Sequence, residues 1–302
     1  MASFTLKIIM NIMKKRNENF AIGPGTDYAA ERIRLASPKN QLPPAKGVTF
    51  TSDTLGGVPV ELSTPKKVAG DAIIFYIHGG GYIYGDATTS RGYASVLADE
   101  IGLRVVSISY RLGPEHKFPA GPDDCFSVYT ALVEKYPKSK IALVGESGGG
   151  TFVLVVSLMA KDKKIRLPAC ICAWSPCTNL AENLPSRKKN VKTDLVVPFE
   201  NLNDLLREVY LDGKTDPRNP YVSPLFGDYQ GFPPLKITAD SGEVLFDDSE
   251  LLVKKAKTAG VEVEYQVFSG TFHSFPTIGR SCPESKQILK ETAAYIHKHC
   301  DA

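Results

Sequence analysis

The sequence has no run of about 18 uninterrupted apolar residues, so we expect no membrane-spanning helix. It also has no internal repeat and no low-complexity tract, and its composition excludes a collagen, a coiled coil and a disordered tail. The formal net charge is only +3 and the basic residues are scattered, so we expect no nucleic-acid partner. At 302 residues, 43% hydrophobic and 23% charged, the chain has the composition of a globular protein with one or two domains.

Cysteine is scarce, with six residues in the whole chain. A chain of this length forms a core without disulfides, so we expect free, buried thiols in a reducing cytoplasm. Cys170 and Cys172 stand two apart in an apolar run. We expect them to point to opposite faces of a strand, so that no single metal ion binds both. The cysteines are Cys125, Cys170, Cys172, Cys177, Cys282 and Cys300.

The N-terminal stretch has the apolar character of a signal peptide but not its layout. Only Lys7 precedes most of the apolar residues, the basic run at 14–16 follows them, and no A-x-A cleavage site comes after it. The apolar residues recur near helical spacing, which predicts an amphipathic helix over residues 4–16. They are Phe4, Ile8, Ile9, Ile12 and Met13.

From residue 70 onward, short apolar runs alternate with helical patterns, which predicts a parallel sheet covered by helices on both faces. The strand candidates are residues 72–77, 103–109, 141–144, 169–174, 235–238 and 263–268. The helix candidates lie near residues 93–100, 123–135, 150–161, 249–258 and 284–298. An antiparallel hairpin is predicted near residues 48–61. Two segments, up to about residue 45 and about 178–215, break the alternation, and we expect them to lie over the sheet; a helix is predicted at 199–210.

A G-x-S-x-G pentapeptide centred on Ser147 lies between a strand candidate and a helix candidate. Strand, sharp turn and helix form the arrangement called a nucleophile elbow. The flanking glycines let the chain bend, and the serine hydroxyl then stands beside the N-terminus of a helix, where N–H groups favour a developing anion. We therefore predict that Ser147 is a catalytic nucleophile.

Three glycines follow His78 directly after the strand candidate at 72–77. Glycine leaves backbone N–H groups accessible, so we predict an oxyanion hole formed by the N–H groups of Gly79, Gly80 and Gly148. The alternative is a phosphate-binding loop, but the stretch has neither the GxxxxGK[ST] lysine nor the GxGxxG spacing.

A serine nucleophile needs a base, and a base needs an orienting acid. Of the five histidines, His273 follows the last strand candidate, which fits the chain order serine, acid, histidine. His78 belongs to the glycine loop, His116 lies upstream of the serine, and His297 and His299 lie on the C-terminal helix candidate among lysines. Four carboxylates compete for the role of the acid, and their spacing does not decide among them. They are Asp240, Glu243, Asp247 and Asp248.

These motifs together resemble the bacterial hormone-sensitive-lipase-like (family IV) carboxylesterases of the α/β-hydrolase superfamily. The stretch 78–81 is similar to that family's HGGG motif, and 110–120 is similar to its YRLAPE-x-x-FPA stretch. The stretch 145–149 resembles its GDSAG elbow, with Glu146 in place of Asp and Gly148 in place of Ala. Residues 175–178 and 270–273 resemble its SPW-[TV] and G-x-x-H segments.

The resemblance implies an α/β-hydrolase fold with a mostly parallel, eight-stranded sheet and a helical cap. The cap would comprise residues 1–45 and 178–215 within a single domain of residues 1–302, and the helix at 4–16 would become a lid helix. After the strand that corresponds to residues 235–238, the family reads D/E-x-L-x-D, with the first acidic residue in the triad. The resemblance thus places the triad acid at Glu243, with Asp240 and Asp247 as alternatives. Arg111 and Glu115 would form a structural ion pair.

The expected function is therefore a serine carboxylesterase that hydrolyses small, short-chain esters, such as acetyl esters, without metal or cofactor. Ser147 would attack the carbonyl, His273 would act as base and Glu243 would orient the imidazole. Alternatives are an amidase or deacetylase with the same fold, or a catalytically silent ligand receptor. The expected partner is a small-molecule ester. Family members often pair through the edge strand, so a homodimer through residues 263–268 is a further prediction.

Overall fold

The computed structural model describes residues 2–16 and 21–300. The strands in these residues are β1 (Thr49–Leu55), β2 (Val58–Thr64), β3 (Ile73–Ile77), β4 (Arg104–Ile108), β5 (Ile141–Glu146), β6 (Cys170–Trp174), β7 (Leu235–Asp240) and β8 (Val263–Phe268). The helices are α1 (Phe4–Arg16), α2 (Tyr28–Ala36), α3 (Arg91–Ile101), α4 (Ala120–Lys135), α5 (Gly148–Asp162), α6 (Pro185–Lys189), α7 (Leu202–Tyr210), α8 (Phe246–Thr258) and α9 (Pro283–Cys300). Single 3-10 turns lie at Pro38–Asn40, Pro224–Phe226 and Phe275–Ile278.

The described strands form one sheet in the order β1-β2-β4-β3-β5-β6-β7-β8. β1 and β2 are antiparallel and joined by a turn in which Gly56 and Gly57 both have positive φ. β2 is antiparallel to β4, and the remaining neighbours are parallel. The predicted hairpin and parallel sheet are thus confirmed. β5 and β7 extend two residues beyond the predicted strands, to Glu146 and Asp240.

Both faces of the central strands β3 to β7 are buried, as their predominantly apolar sequences indicate, whereas the edge strands β1 and β8 are partly exposed. On β3, Ile73, Phe75 and Ile77 pack into one hydrophobic core, whereas Ile74 and Tyr76 pack into the other. The alternation follows from the two-residue period of a strand, which sends successive side chains to opposite faces. Two cores of this kind require a helical layer on each side of the sheet.

The expectation for Cys170 and Cys172 is wrong. Both side chains lie in the same core as Trp174, while Ile171 lies in the opposite core. Residues two apart on a strand share a face, because the side-chain period is two. All six cysteines are buried free thiols. In the described part of the chain, no group of three or more His, Cys, Asp or Glu side chains is arranged to hold a metal ion.

The two segments outside the alternation contribute α1, α2, α6 and α7. α1 packs against α9 through Leu6, which is fully buried, and Ser3 Oγ donates a hydrogen bond of 2.9 Å to Glu284. The helix expected at 199–210 begins at Leu202. The cap boundaries stay a prediction, and residues 1 and 17–20 of the first segment lie outside the described residues.

β8 is the edge strand of the sheet, on the side where homodimer pairing is predicted. Its exposed side chains include Glu264 and Val267. Among residues 2–16 and 21–300, none of the helices combines the length and the apolar composition that crossing a bilayer requires.

Candidate active site

The turn between β5 and α5 holds Ser147 in a strained backbone conformation. Its φ is 53° and its ψ is −122°, a region that residues other than glycine rarely adopt. The turn leaves no room for side chains at Gly145 and Gly149. A Cβ on Gly149 would lie 2.0 Å from the carbonyl oxygen of Ile77, and one on Gly145 would lie 2.5 Å from that of Gly149. The glycines therefore let α5 start directly against the sheet, as the G-x-S-x-G pattern predicts.

Ser147 and His273 line the same cavity, which has a volume of about 440 Å³. Ser147 is partly exposed, whereas His273 is buried. His273 Nδ1 lies 2.8 Å from Glu243 Oε2, and both side chains are shielded from solvent. Within the described residues, His273 Nε2 has no hydrogen-bond partner. The structure thus brings the predicted base and acid into contact and leaves Nε2 available to a group in the cavity.

The electrostatics of this pair favour a basic imidazole. Burial lowers the pKa of His273, but the hydrogen bond and the negative charge of Glu243 outweigh it, and the net pKa is raised. Burial raises the pKa of Glu243, and His273 opposes that effect. A carboxylate held against Nδ1 fixes the tautomer that exposes an unprotonated Nε2 and stabilises the imidazolium once it forms.

The other three candidate acids are engaged elsewhere. Asp240 Oδ2 accepts hydrogen bonds from the N–H and the hydroxyl of Thr271, at 2.8 Å and 2.7 Å. Asp247 accepts from the N–H of Ser186 at 2.7 Å. Asp248 forms a buried ion pair with Arg187 at 2.8 Å. None of the three contacts His273, so the geometry favours the acid that the resemblance indicates.

The glycine loop differs from the prediction at one position. The N–H of Gly79 donates a 2.7 Å hydrogen bond to Glu146 Oε1, so it does not point to an oxyanion. For the N–H groups of Gly80 and Gly81, the described residues offer no acceptor. Gly148 opens α5, where N–H groups have no intrahelical acceptor. All three glycines border the cavity of Ser147. The available donors are therefore Gly80, Gly81 and Gly148.

Glu146 is a buried carboxyl directly before the nucleophile. Burial raises its pKa from 4.5 to about 7, against the opposing effects of the Gly79 N–H, the Tyr76 hydroxyl and His273. Oε2 has no hydrogen-bond partner in the described part of the chain. The side chain thus binds the glycine loop through one oxygen and titrates near neutral pH.

The remaining walls of the cavity are largely apolar, and both segments outside the alternation contribute to them. The first segment supplies Met13, Leu35 and Asn40. The second supplies Val196, Val197, Leu202 and Leu206. A cavity with such walls suits an uncharged acyl group better than a charged one.

Comparison with known proteins places this geometry in a family. The model of the alpha/beta hydrolase fold family matches residues 74–277. The chain belongs to the alpha/beta hydrolase family. An esterase of Acinetobacter venetianus is 34% identical over 224 residues, which span 74% of each chain. An acetyl-hydrolase of Streptomyces hygroscopicus is 31% identical over 269 residues, spanning 89% of this chain and 87% of the relative.

The whole fold also matches solved structures. The crystal structure of an esterase from the bacterial hormone-sensitive lipase family superposes with a TM-score of 0.91 at 29% identity, and 99% of each chain is covered. The predicted α/β-hydrolase fold and the hormone-sensitive-lipase-like branch are therefore confirmed. The protein is an enzyme of the carboxylic ester hydrolase class that these proteins share.

Sequence reasoning missed the residues that hold the loop of Glu243, which we call the acid loop. Asp194 Oδ2 accepts a 2.9 Å hydrogen bond from the N–H of Val244, beside Glu243. Asn190 Nδ2 donates to the carbonyls of Ser241 and Glu243, at 3.0 Å and 2.9 Å. Both residues belong to the charged segment 178–215, where no motif distinguishes them from surface polar residues.

The predicted ion pair between Arg111 and Glu115 is wrong. Arg111 pairs instead with Asp124 at 2.8 Å, and Glu115 pairs with Arg32 of α2 at 2.8 Å. Arg32 also donates to the carbonyls of Ile83, at 2.9 Å, and Gly113. Arg32 therefore fastens α2 to the loop that carries the oxyanion glycines.

The other four histidines do not line the cavity of Ser147. His78 stacks on Tyr110 with ring centroids 4.4 Å apart, and burial lowers its pKa to about 4. It is therefore a neutral structural residue at physiological pH. His116 is exposed, and His297 and His299 are partly exposed on α9.

Proposed function

We propose that this hydrolase is a serine carboxylesterase that cleaves small, short-chain acyl esters through an acyl-enzyme on Ser147. The observation that carries the proposal is the buried 2.8 Å contact between His273 and Glu243, beside Ser147 in an apolar cavity. The nucleophile, the base and the candidate oxyanion donors line this cavity, and the acid contacts the base. The acetyl-hydrolase among the relatives supports a short acyl group.

In the proposed reaction, His273 Nε2 removes the proton of Ser147 as Oγ attacks the ester carbonyl. The N–H groups of Gly80, Gly81 and Gly148 stabilise the oxyanion. His273 then protonates the leaving alcohol, and the acyl group stays on Ser147. A water molecule, deprotonated by His273, releases the acid and regenerates the serine. Glu243 keeps the imidazole in the productive tautomer and compensates its positive charge in both steps.

Replacement of the nucleophile tests the proposal directly. Ser147→Ala is expected to lower kcat for p-nitrophenyl butyrate by roughly 10⁶-fold and to abolish labelling by a fluorophosphonate. Ser281→Ala, at an exposed serine, serves as the matched control and should retain both. A Ser147→Ala variant with the activity of the wild type would refute the acyl-enzyme. The p-nitroanilide of the same acid, measured in parallel, separates esterase from amidase activity.

The acid is tested by Glu243→Gln, which keeps the size of the side chain. We expect kcat to fall by about 10³–10⁴-fold with little change in KM, because the substrate does not touch this residue. Loss of the carboxylate also removes the main cause that raises the pKa of His273. Any residual activity should therefore extend to lower pH. Asp247→Asn is the control, and an equal loss there would contradict the assignment of Glu243.

The acyl-chain preference follows from the walls of the cavity. Met13→Trp adds volume inside it, so the fall in kcat/KM along a series of p-nitrophenyl esters should begin at shorter chains. Asn11→Trp places the same side chain on the exposed side of α1 and should leave the series unchanged. If Met13→Trp left the preference unchanged, α1 would not form part of the acyl site.

A further inference from the structure

The two N-terminal helices carry an unusual concentration of exposed apolar side chains. Phe4, Ile8 and Ile12 of α1 are 79%, 44% and 47% exposed, and Ile33 of α2 is 76% exposed. These are four of the seven large apolar residues that are exposed in the described part of the chain. The other three stand on separate elements at Val68, Leu251 and Val267. Single exposed apolar residues are ordinary, whereas neighbouring ones mark an interaction surface.

The three residues on α1 form a continuous stripe. Phe4, Ile8 and Ile12 are spaced four apart, so they lie along one side of the helix. The opposite side is already used, because Leu6 is fully buried and Met13 borders the cavity of Ser147. Apolar side chains thus lie on two opposite sides of α1. Other described residues cover only the side that carries Leu6 and Met13. We call the outer side the α1 stripe.

Basic residues accompany the α1 stripe. Lys7, Lys14 and Lys15 are exposed, and none of them forms an ion pair with another described residue. α1 contains no acidic residue. With Arg16, the sequence of α1 carries four basic residues and no acidic one, so this helix is locally cationic in a chain whose formal net charge is only +3.

We propose that α1 docks the enzyme on an anionic phospholipid surface. The stripe of Phe4, Ile8 and Ile12 would enter the region between headgroups and acyl chains, and the three lysines would contact lipid phosphates. A helix with exposed apolar residues and flanking lysines has the composition of interfacial helices, and each basic residue adds to the attraction of an anionic leaflet. Since Met13 of the same helix borders the cavity, docking would place the cavity beside the lipid.

The charges also argue against a second copy as the occupant. A symmetric dimer through the α1 stripe would place the same surface on both sides of the contact. The three lysines of one copy would then face those of the other without a carboxylate on either α1. Like charges in that arrangement repel, whereas phosphate headgroups complement them.

The test is flotation of the full chain with vesicles in low-salt buffer. One set of vesicles contains phosphatidylcholine alone, and the other contains phosphatidylglycerol as one lipid in three. We expect binding on the order of 100-fold stronger to the anionic set, which weakens as salt screens the lysines. Equal or absent binding to both sets would overturn the proposal.

Two variants separate the contributions of the stripe and the charges. Phe4→Ser/Ile8→Ser/Ile12→Ser removes the apolar side chains, and a second triple variant replaces the three lysines by glutamine. Each is expected to lose at least about tenfold in vesicle affinity. Both should hydrolyse a water-soluble short-chain ester at the wild-type rate, which shows that they fold. Neither substitution touches the residues assigned to catalysis, so this test stands whether or not that assignment holds.

The matched control for lost apolar surface is Val68→Ser/Leu251→Ser, which changes exposed residues away from α1. It should bind anionic vesicles like the wild type. Full binding by the Phe4→Ser/Ile8→Ser/Ile12→Ser variant would refute the role of the stripe. Sedimentation velocity identifies the rival occupant, because a wild-type dimer that dissociates in this variant, without any vesicle binding, would assign the stripe to a second copy.

Discussion

The buried carboxyl of Glu146 is expected to make the stability of the protein depend on pH. The side chain is buried, its Oε1 accepts the N–H of Gly79, and its Oε2 has no partner in the described residues. Burial raises its pKa from 4.5 to about 7. Glu146→Gln keeps an oxygen that can accept the N–H of Gly79 and removes the titration. The variant therefore isolates the free-energy cost of the buried charge.

The sign and the magnitude follow from proton linkage. Between pH 4.5 and about 7 the folded protein retains a proton on Glu146 that the unfolded chain has lost, so stability falls as pH rises. At about 1.4 kcal/mol per pH unit, the full cost above pH 7 is about 3 kcal/mol. Below pH 4.5 both states are protonated, and the cost vanishes.

The assay is urea denaturation of wild type and Glu146→Gln at a series of pH values from 4 to 9. The amide that replaces Oε2 changes the local hydrogen bonding, and this alters the free energy of unfolding of the variant by an amount that does not depend on pH. The informative quantity is therefore how the difference in free energy of unfolding between the two proteins changes with pH. Relative to wild type, the free energy of unfolding of Glu146→Gln is expected to be about 3 kcal/mol higher at the alkaline end of the series than at the acidic end.

Glu134→Gln, at an exposed carboxyl on α4, is the control. Its free energy of unfolding should differ little from that of wild type at every pH of the series. His273 lies near Glu146 and its raised pKa is partly due to that charge, so the acidic limb of kcat/KM should move to lower pH in Glu146→Gln. Parallel stability curves for wild type and Glu146→Gln from pH 4 to 9 would refute the reasoning.

Three further predictions concern packing and assembly. Arg187→Met leaves Asp248 as a buried, unpaired carboxylate and should lower the free energy of unfolding by roughly 3–5 kcal/mol in urea; a loss below about 1 kcal/mol would contradict this. Gly149→Ala places a Cβ 2.0 Å from the carbonyl oxygen of Ile77, so thermal unfolding should show a severe loss of stability, and a wild-type Tm would be inconsistent with the turn. If copies pair through β8, Val267→Lys should weaken the dimer in sedimentation velocity, and a monomeric wild type would exclude that pairing.

Sequence patterns predicted the sheet and the elbow because both depend on local chemistry. The apolar runs of β3 to β7 are continuous since both faces of the sheet are buried, and this leaves a clear trace in the sequence. The turn at Ser147 needs glycines at fixed positions, so the pentapeptide indicates it. For the acid, spacing left four carboxylates open and only the resemblance favoured Glu243. The contact with His273 depends on where two separate loops meet, which no local pattern encodes.

The predictions that the structure overturns concern residues whose partners are distant in the sequence, or the two-residue side-chain period of a strand. Arg111 and Glu115 are near each other in the sequence, but Glu115 pairs with Arg32, 83 residues away. Gly79 carries the motif of an oxyanion donor, yet its N–H binds Glu146, 67 residues away. Cys170 and Cys172 share a face because a strand repeats every two residues. Long-range pairings of this kind follow from the fold and not from composition or spacing.

The segment 178–215 binds the loop that carries Glu243, the proposed acid, and also forms part of the cavity wall. One oxygen of Asp194 accepts the N–H groups of Val196 and Val197, and the other accepts that of Val244, so a single carboxylate joins the cavity wall to the acid loop. Displacement of this segment would break the bond to Val244 and release the backbone that presents Glu243. We therefore infer that a displacement of this part of the cavity wall also changes the position of Glu243, and with it the orientation of the His273 imidazole. The reason is that Asp194 binds both the wall and the loop of Glu243.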